Sequence, residues 1–146
     1  MYALKPIPVT DATLTLDYRL HNDAVVVINR AAGCVVTLPA ASGSGAKFRV
    51  MVGTTISSTS FKLQVANGTD TMAGHITTSI ATGAAGADFG EALTGTDDTI
   101  TCNGTTTGGI AGSYVEAQDV ATNLWLINGA LIGSGSITSS VSAAVS

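Results

Sequence analysis

AVVVINRAAGCVVTLPAASGSGAKFRVMV, residues 24–52, holds three runs of β-branched and aromatic residues separated by Gly, Pro and Ser. AVVVIN (24–29), CVVTL (34–38) and KFRVMV (47–52) are short and rich in the branched side chains that suit a pleated surface. The first two are unbroken apolar runs, the pattern of strands covered on both faces. RAAG (30–33) is short enough for a hairpin between them, and PAASGSGA (39–46) supplies turn chemistry before the third.

The same texture continues outward. TTISSTS bridges to FKLQV (61–65), where Phe61, Leu63 and Val65 face one way and Lys62 and Gln64 the other. Upstream, Leu14, Leu16, Tyr18 and Leu20 alternate with Thr15, Asp17 and Arg19, which predicts a strand with one wet face. Asn-Gly occurs at 67–68, 103–104 and 128–129, each after an apolar run, and predicts a hairpin turn at each place. SYVEAQDV, NLWLIN and ALIG read as further short strands. ATGAAGADFGEALTGTDD (81–98) has no β-branched aliphatic residue and no clean period. It predicts either a long loop or a short helical turn through ADFGEAL.

Composition agrees. Charged residues are 11% of the 146, against about a quarter in an ordinary soluble domain. Only two Glu and three Lys are present, against 21 Thr, 13 Ser and 17 Gly. The expected fold is all-β: a compact β-barrel or β-sandwich of short antiparallel strands, residues 13–146, with an extended N-terminal arm over residues 1–12. Pro6 and Pro8 keep that arm extended and out of a sheet. Tyr2, Leu4, Ile7 and Val9 are apolar groups that an isolated arm cannot bury. With Lys5 they make residues 2–9 a candidate docking arm. Hydrophobic residues make up 45% of the chain, but 21 of them are Ala, so a thin core is expected, supplemented by burial between subunits.

All six basic residues fall in positions 1–62, which hold three acids, whereas 63–146 hold seven acids and no Lys or Arg. This is either drift in a sparsely charged surface or a molecule with a basic and an acidic end, suited to oriented docking. Six dispersed cations without interleaved aromatics do not make a nucleic-acid footprint. No apolar stretch approaches the roughly 18 residues of a membrane span, and MYALKPIPVTDATL has neither the basic leader nor the apolar run of a secretory signal. Cys34 and Cys102, each in an apolar run, are expected to be buried free thiols.

Chemistry is hard to find. His21 and His75 lack a nucleophile-elbow partner, and no Cys or His pair has zinc-ligand spacing. ASGSGAK lacks phosphate-loop spacing and precedes a strand, where a helix N-terminus is required. Asp70, Asp88 and Asp97-Asp98 do not form a calcium loop. No catalytic residue, cofactor or metal is expected. The single Trp125, between Leu124 and Leu126, argues for use in the core.

GCVVTLPAASGSGAKFRVMVGTTISSTSFKLQVANGTDTMAG (33–74) resembles a recurrent segment of tailed-bacteriophage virion proteins. In it a strand ending in TLPAA, a Gly-Ser turn and an F-x-x-x-V-G strand precede a V-A-N-x-x-D-x-M-x-G turn. TITCNGTTTGGIAGSYVEAQDVATNLWLINGALIGSG (99–135) is similar to the closing half of such proteins, with its Gly-rich turn, D-V-A and a Trp-containing strand. The resemblance is to capsid decoration (cement) proteins. It implies a small β-rich structural protein, usually a homotrimer, made in the bacterial host cytoplasm. Such a protein sits on the capsid exterior of the virion and clamps the major capsid protein shell after expansion. The same segments are similar to parts of tail and fibre proteins, which implies the alternative of a tail- or fibre-associated protein recognising a host-surface ligand such as carbohydrate. Neither family supplies a motif whose functional residues carry over singly.

Overall fold

Twelve strands form among residues 5–81 and 88–146, which the computed structural model describes. In chain order they are β1 (Ile7–Val9), β2 (Thr13–Thr15), β3 (Val25–Ile28), β4 (Val35–Thr37), β5 (Lys47–Val52) and β6 (Phe61–Gln64). They continue with β7 (Thr71–Ile80), β8 (Phe89–Asp97), β9 (Thr99–Cys102), β10 (Tyr114–Ala121), β11 (Leu124–Gly133) and β12 (Val141–Ser142). A seven-stranded sheet has the order β1-β3-β5-β10-β11-β7-β8, and a five-stranded sheet the order β12-β9-β6-β4-β2. The fold is all-β and sandwich-like. Among the described residues neither sheet closes into a barrel.

The expectation of antiparallel strands is corrected. From β1 to β6 the chain changes sheet after every strand, so each strand returns to its sheet running in the same direction. Hence β1, β3 and β5 are parallel neighbours in the large sheet, and β2, β4 and β6 in the small one. β7 and β11 are also parallel, while β5–β10, β10–β11, β7–β8, β6–β9 and β9–β12 are antiparallel.

Turn chemistry predicted hairpins that this alternation excludes. RAAG carries the chain from β3 to β4 in the other sheet; the Gly33 amide donates to the Arg30 carbonyl at 3.0 Å, with Gly33 at φ 79°. A Cβ on Gly33 would lie 2.3 Å from the Ser60 carbonyl oxygen, so only glycine fits that corner. Asn67 and Asn103 also turn the chain between sheets. Their Oδ1 atoms accept amides of Thr69 and Asp70 (3.0 Å each) and of Thr105 and Thr107 (2.8 and 3.1 Å). Asn128-Gly129 lies inside β11, opposite Glu116 and Val115. The tight β10–β11 turn instead uses Asn123, at φ 61°.

Three further expectations change. Leu20 is 70% exposed, because Asp17 Oδ1 accepts the amides of Arg19 (2.7 Å) and Leu20 (3.2 Å) and ends the alternation in a turn. Within 81–98, residues 89–97 are neither loop nor helical turn but strand β8, which turns Glu91 and Leu93 inward; residues 82–87 lie outside the described set. In β3 and β4 only one face is fully buried.

The arm reading is corrected for residues 7–9. β1 pairs with β3 as the outer strand of the large sheet, and Val9 is 5% exposed within the core. The Asn29 amide donates to the Val9 carbonyl at 2.8 Å. Peptide groups alternate along a strand, so Pro8 places its donor-free nitrogen on the outer edge, where proline is tolerated.

The core lies between the sheets. Trp125, Phe48 and Tyr18 stack in a tilted series, with centroid separations of 5.8 Å (Phe48–Trp125) and 5.7 Å (Tyr18–Phe48). Trp125 has no exposed surface, consistent with the core use expected of it. Cys34 and Cys102 are both free and buried. Burial raises both thiols, Cys102 to about 12, so neither forms a reactive thiolate near neutral pH. Native protein at pH 8 should therefore resist alkylation at both positions, and denatured protein should take up two labels by intact mass.

Candidate interaction surface

The two outer faces differ in character. On the large sheet, cross-strand register sets side chains in rows. Val27, Met51, Tyr114 and Ala130 form one row. Val25, Arg49, Glu116, Asn128, His75 and Ala92 form the next, and Lys47, Gln118, Leu126, Ala73 and Thr94 a third. Tyr114 is 37% and Leu126 46% exposed. Arg49 Nε donates to Glu116 Oε2 at 3.0 Å, and the guanidinium carbon stands 5.9 Å from the Tyr114 ring centre. Shallow depressions of about 250 and 400 Å³ flank Arg49, the first reaching Asp23 and Glu116, the second Met51 and Tyr114.

On the small sheet the outward rows are Thr13, Val35, Lys62, Thr101 and Thr15, Thr37, Gln64; Thr99, which ends the second row, is buried. That face carries one aliphatic group and no aromatic in those rows. The large sheet thus presents a mixed apolar and ionic surface, and the small sheet a threonine-rich one.

The acidic half of the sequence is not an acidic surface. Of its seven acids, Asp70, Glu91, Asp98 and Asp119 are buried, and Glu116 is paired. Glu91 accepts the Ser140 amide (2.9 and 3.0 Å) and hydroxyl (2.6 Å); Asp98 accepts the amides of Ala144 (2.7 Å) and Val145 (3.1 Å). These two carboxylates fasten the C-terminal segment onto the body.

Asp119 fastens the 39–46 turn. Its oxygens accept three consecutive amides, Ser42 (3.0 Å), Gly43 (2.7 Å) and Ser44 (3.0 Å), and the hydroxyls of Ser42 (3.1 Å), Ser44 (2.7 Å) and Tyr18 (3.0 Å). Burial alone would raise this carboxyl. The bonds from the Ser44 hydroxyl and the Ser44, Gly43 and Ser42 amides outweigh it and hold the group well below the usual carboxylate range. The sequence offered Asp119 only as part of a D-V-A string; the signal for its role was the Ser-Gly-Ser donor run far upstream.

The proposed docking-arm residues are not brought together as one free element. Lys5, Pro6 and Pro8 are exposed, Ile7 is half-buried, Val9 belongs to the core, and Tyr2 and Leu4 lie outside the described residues. His21 accepts the Asp17 amide through Nδ1 at 2.9 Å, while His75 is exposed on the large-sheet face. Among the described residues no group of three or more His, Cys, Asp or Glu is placed to hold a metal ion. No protein-family model, curated protein or solved structure matches this chain.

Asp119 generates a stability prediction with a definite sign. A carboxyl depressed in the folded state contributes stability that is complete above its unfolded value, about 3.9, and is lost as pH falls through the folded value. Asp119→Asn should lower unfolding free energy by about 2–4 kcal/mol at pH 7, because it deletes charge-assisted bonds and turns an NH₂ toward donors. Urea melts of wild type and variant should converge as pH drops below about 4. Parallel curves over the whole range would remove Asp119 from this role.

Proposed function

We propose that this chain is a bacteriophage virion structural protein that binds the outer surface of the major capsid protein shell and stabilises the head. The observation that carries the reading is the outer face of the large sheet. There Met51, Tyr114 and Leu126 stand among Arg49, Glu116, Lys47 and Gln118 on rigid paired strands. Protein interfaces favour this mixture, with aromatic, Met and Arg side chains at the centre and polar groups at the rim. The resemblance of residues 33–74 and 99–135 to phage virion proteins supplies the identity of the partner. The thin core and low charge suit a protein that works in contact with others.

The proposal is tested by sedimenting the protein with purified expanded heads that lack it. Wild type should saturate a fixed number of sites. Leu126→Glu, at an exposed position whose substitution leaves the core intact, should weaken occupancy about tenfold or more with unchanged circular dichroism. Gln64→Glu on the small-sheet face should bind as wild type. Heads that remain bare with wild-type protein, or Leu126→Glu binding normally, would overturn the reading.

A further inference from the structure

We propose that the free edge of β8 pairs antiparallel with β8 of a second copy of this chain. A sheet edge presents unpaired amides and carbonyls, and native proteins blunt such edges with short strands, proline or lysine. Three of the four edges here are blunted. β1 has three residues including Pro8, β2 has three and β12 has two. β8 runs for nine residues without Pro or Lys, and its outer side has no strand partner among the described residues.

The direction of its peptide groups follows from β7. The Thr71 amide donates to the Asn123 carbonyl and the Ala81 amide to the Gly133 carbonyl, so odd-numbered residues of β7 address β11. Even-numbered Gly74, Ile76 and Thr78 therefore address β8, opposite Leu93, Glu91 and Phe89. Gly90, Ala92 and Thr94 are left with amide and carbonyl pointing away from the sheet. Beyond Thr94 the register shifts, since Ala73 pairs with Thr94 but Met72 with Asp97, so the regular edge is residues 89–94.

That edge is self-complementary. With Ala92 on a twofold axis, Ala92 meets Ala92 and Gly90 meets Thr94 in both directions, each pair exchanging two backbone hydrogen bonds. The solvent-side groups at these positions are small and uncharged, so nothing clashes or repels. Glu91 meets Leu93, and its carboxylate is held inward by Ser140, so the usual protection by an inward charge is neutralised. The pairing joins two large sheets edge to edge and leaves their outer faces open. It is twofold, unlike the threefold assembly that the phage resemblance implies, and does not depend on that reading.

Sedimentation velocity of the full chain across micromolar to sub-millimolar concentration tests it. The wild type should show a concentration-dependent dimer. Ala92→Pro removes an edge donor that β7 does not use, and Ala92→Lys keeps the donor but places like charges at the axis. Both should weaken dimerisation about tenfold or more, with unchanged circular dichroism. Added salt should partly restore pairing in Ala92→Lys. If the proline variant does not fold, the lysine variant decides. A wild type that stays monomeric, a trimer, or a dimer indifferent to Ala92→Lys would overturn the proposal.

Discussion

A buried carboxylate binding three consecutive backbone amides organises the middle of this molecule. Asp119 draws in Ser42, Gly43 and Ser44, at the point where the chain leaves β4 and turns back to begin β5. The same residue is near the end of β10, which pairs with β5 along Lys47–Met51. One side chain therefore fixes both the crossing between sheets and the pairing that places Arg49 beside Glu116 and Met51 beside Tyr114. Without a charge there, three consecutive amides of an exposed turn would lose their common acceptor, and the turn its tie to the body. Glu91 and Asp98 repeat the device at the C-terminal segment. Four of the seven acids of residues 63–146 are thus held inside the molecule, which is why that half lacks an acidic surface.

Most of the short strands were legible because they depend on local side-chain character. AVVVIN, CVVTL, KFRVMV and FKLQV all contain strands, and Phe61 and Leu63 face inward as their alternation required. Pairing was not legible. RAAG looks like a hairpin loop, but both flanking strands gain more by lying in opposite sheets, with Val26 and Val36 each fully buried between them. Asn-Gly failed for a related reason. An Asn side chain that accepts downstream amides turns the chain without a two-residue hairpin, as at positions 67 and 103, and Asn128-Gly129 is held extended between β10 and β7. Two long strands were not legible: β7, whose first residues Thr71–Gly74 fall in a string that reads as a turn, and β8, an edge strand with one wet face that needs little β propensity because β7 supplies its hydrogen bonds.

The arm shows the same limit from the other side. Proline at position 8 is incompatible with a central strand but not with an edge strand. The outermost strand of a parallel set asks for hydrogen bonds on one side, and Ile7 and Val9 provide them. The candidate surface was not legible in the sequence because its residues come from β3, β5, β10, β11 and β7, which meet only after the crossings are made. Arg49 and Glu116 are 67 positions apart.

In the proposed function the large-sheet face meets the capsid shell while the small-sheet face stays in solvent. Hydroxyl-radical footprinting of the protein, free and bound to expanded heads, tests this most directly because it reads side chains on both faces at once. Met51, Tyr114 and Leu126 should be protected on the heads, while Val35 and the exposed Leu20 keep their free-state reactivity. Unchanged oxidation of Tyr114 and Leu126 on occupied heads, or protection confined to Val35 and its neighbours, would contradict it.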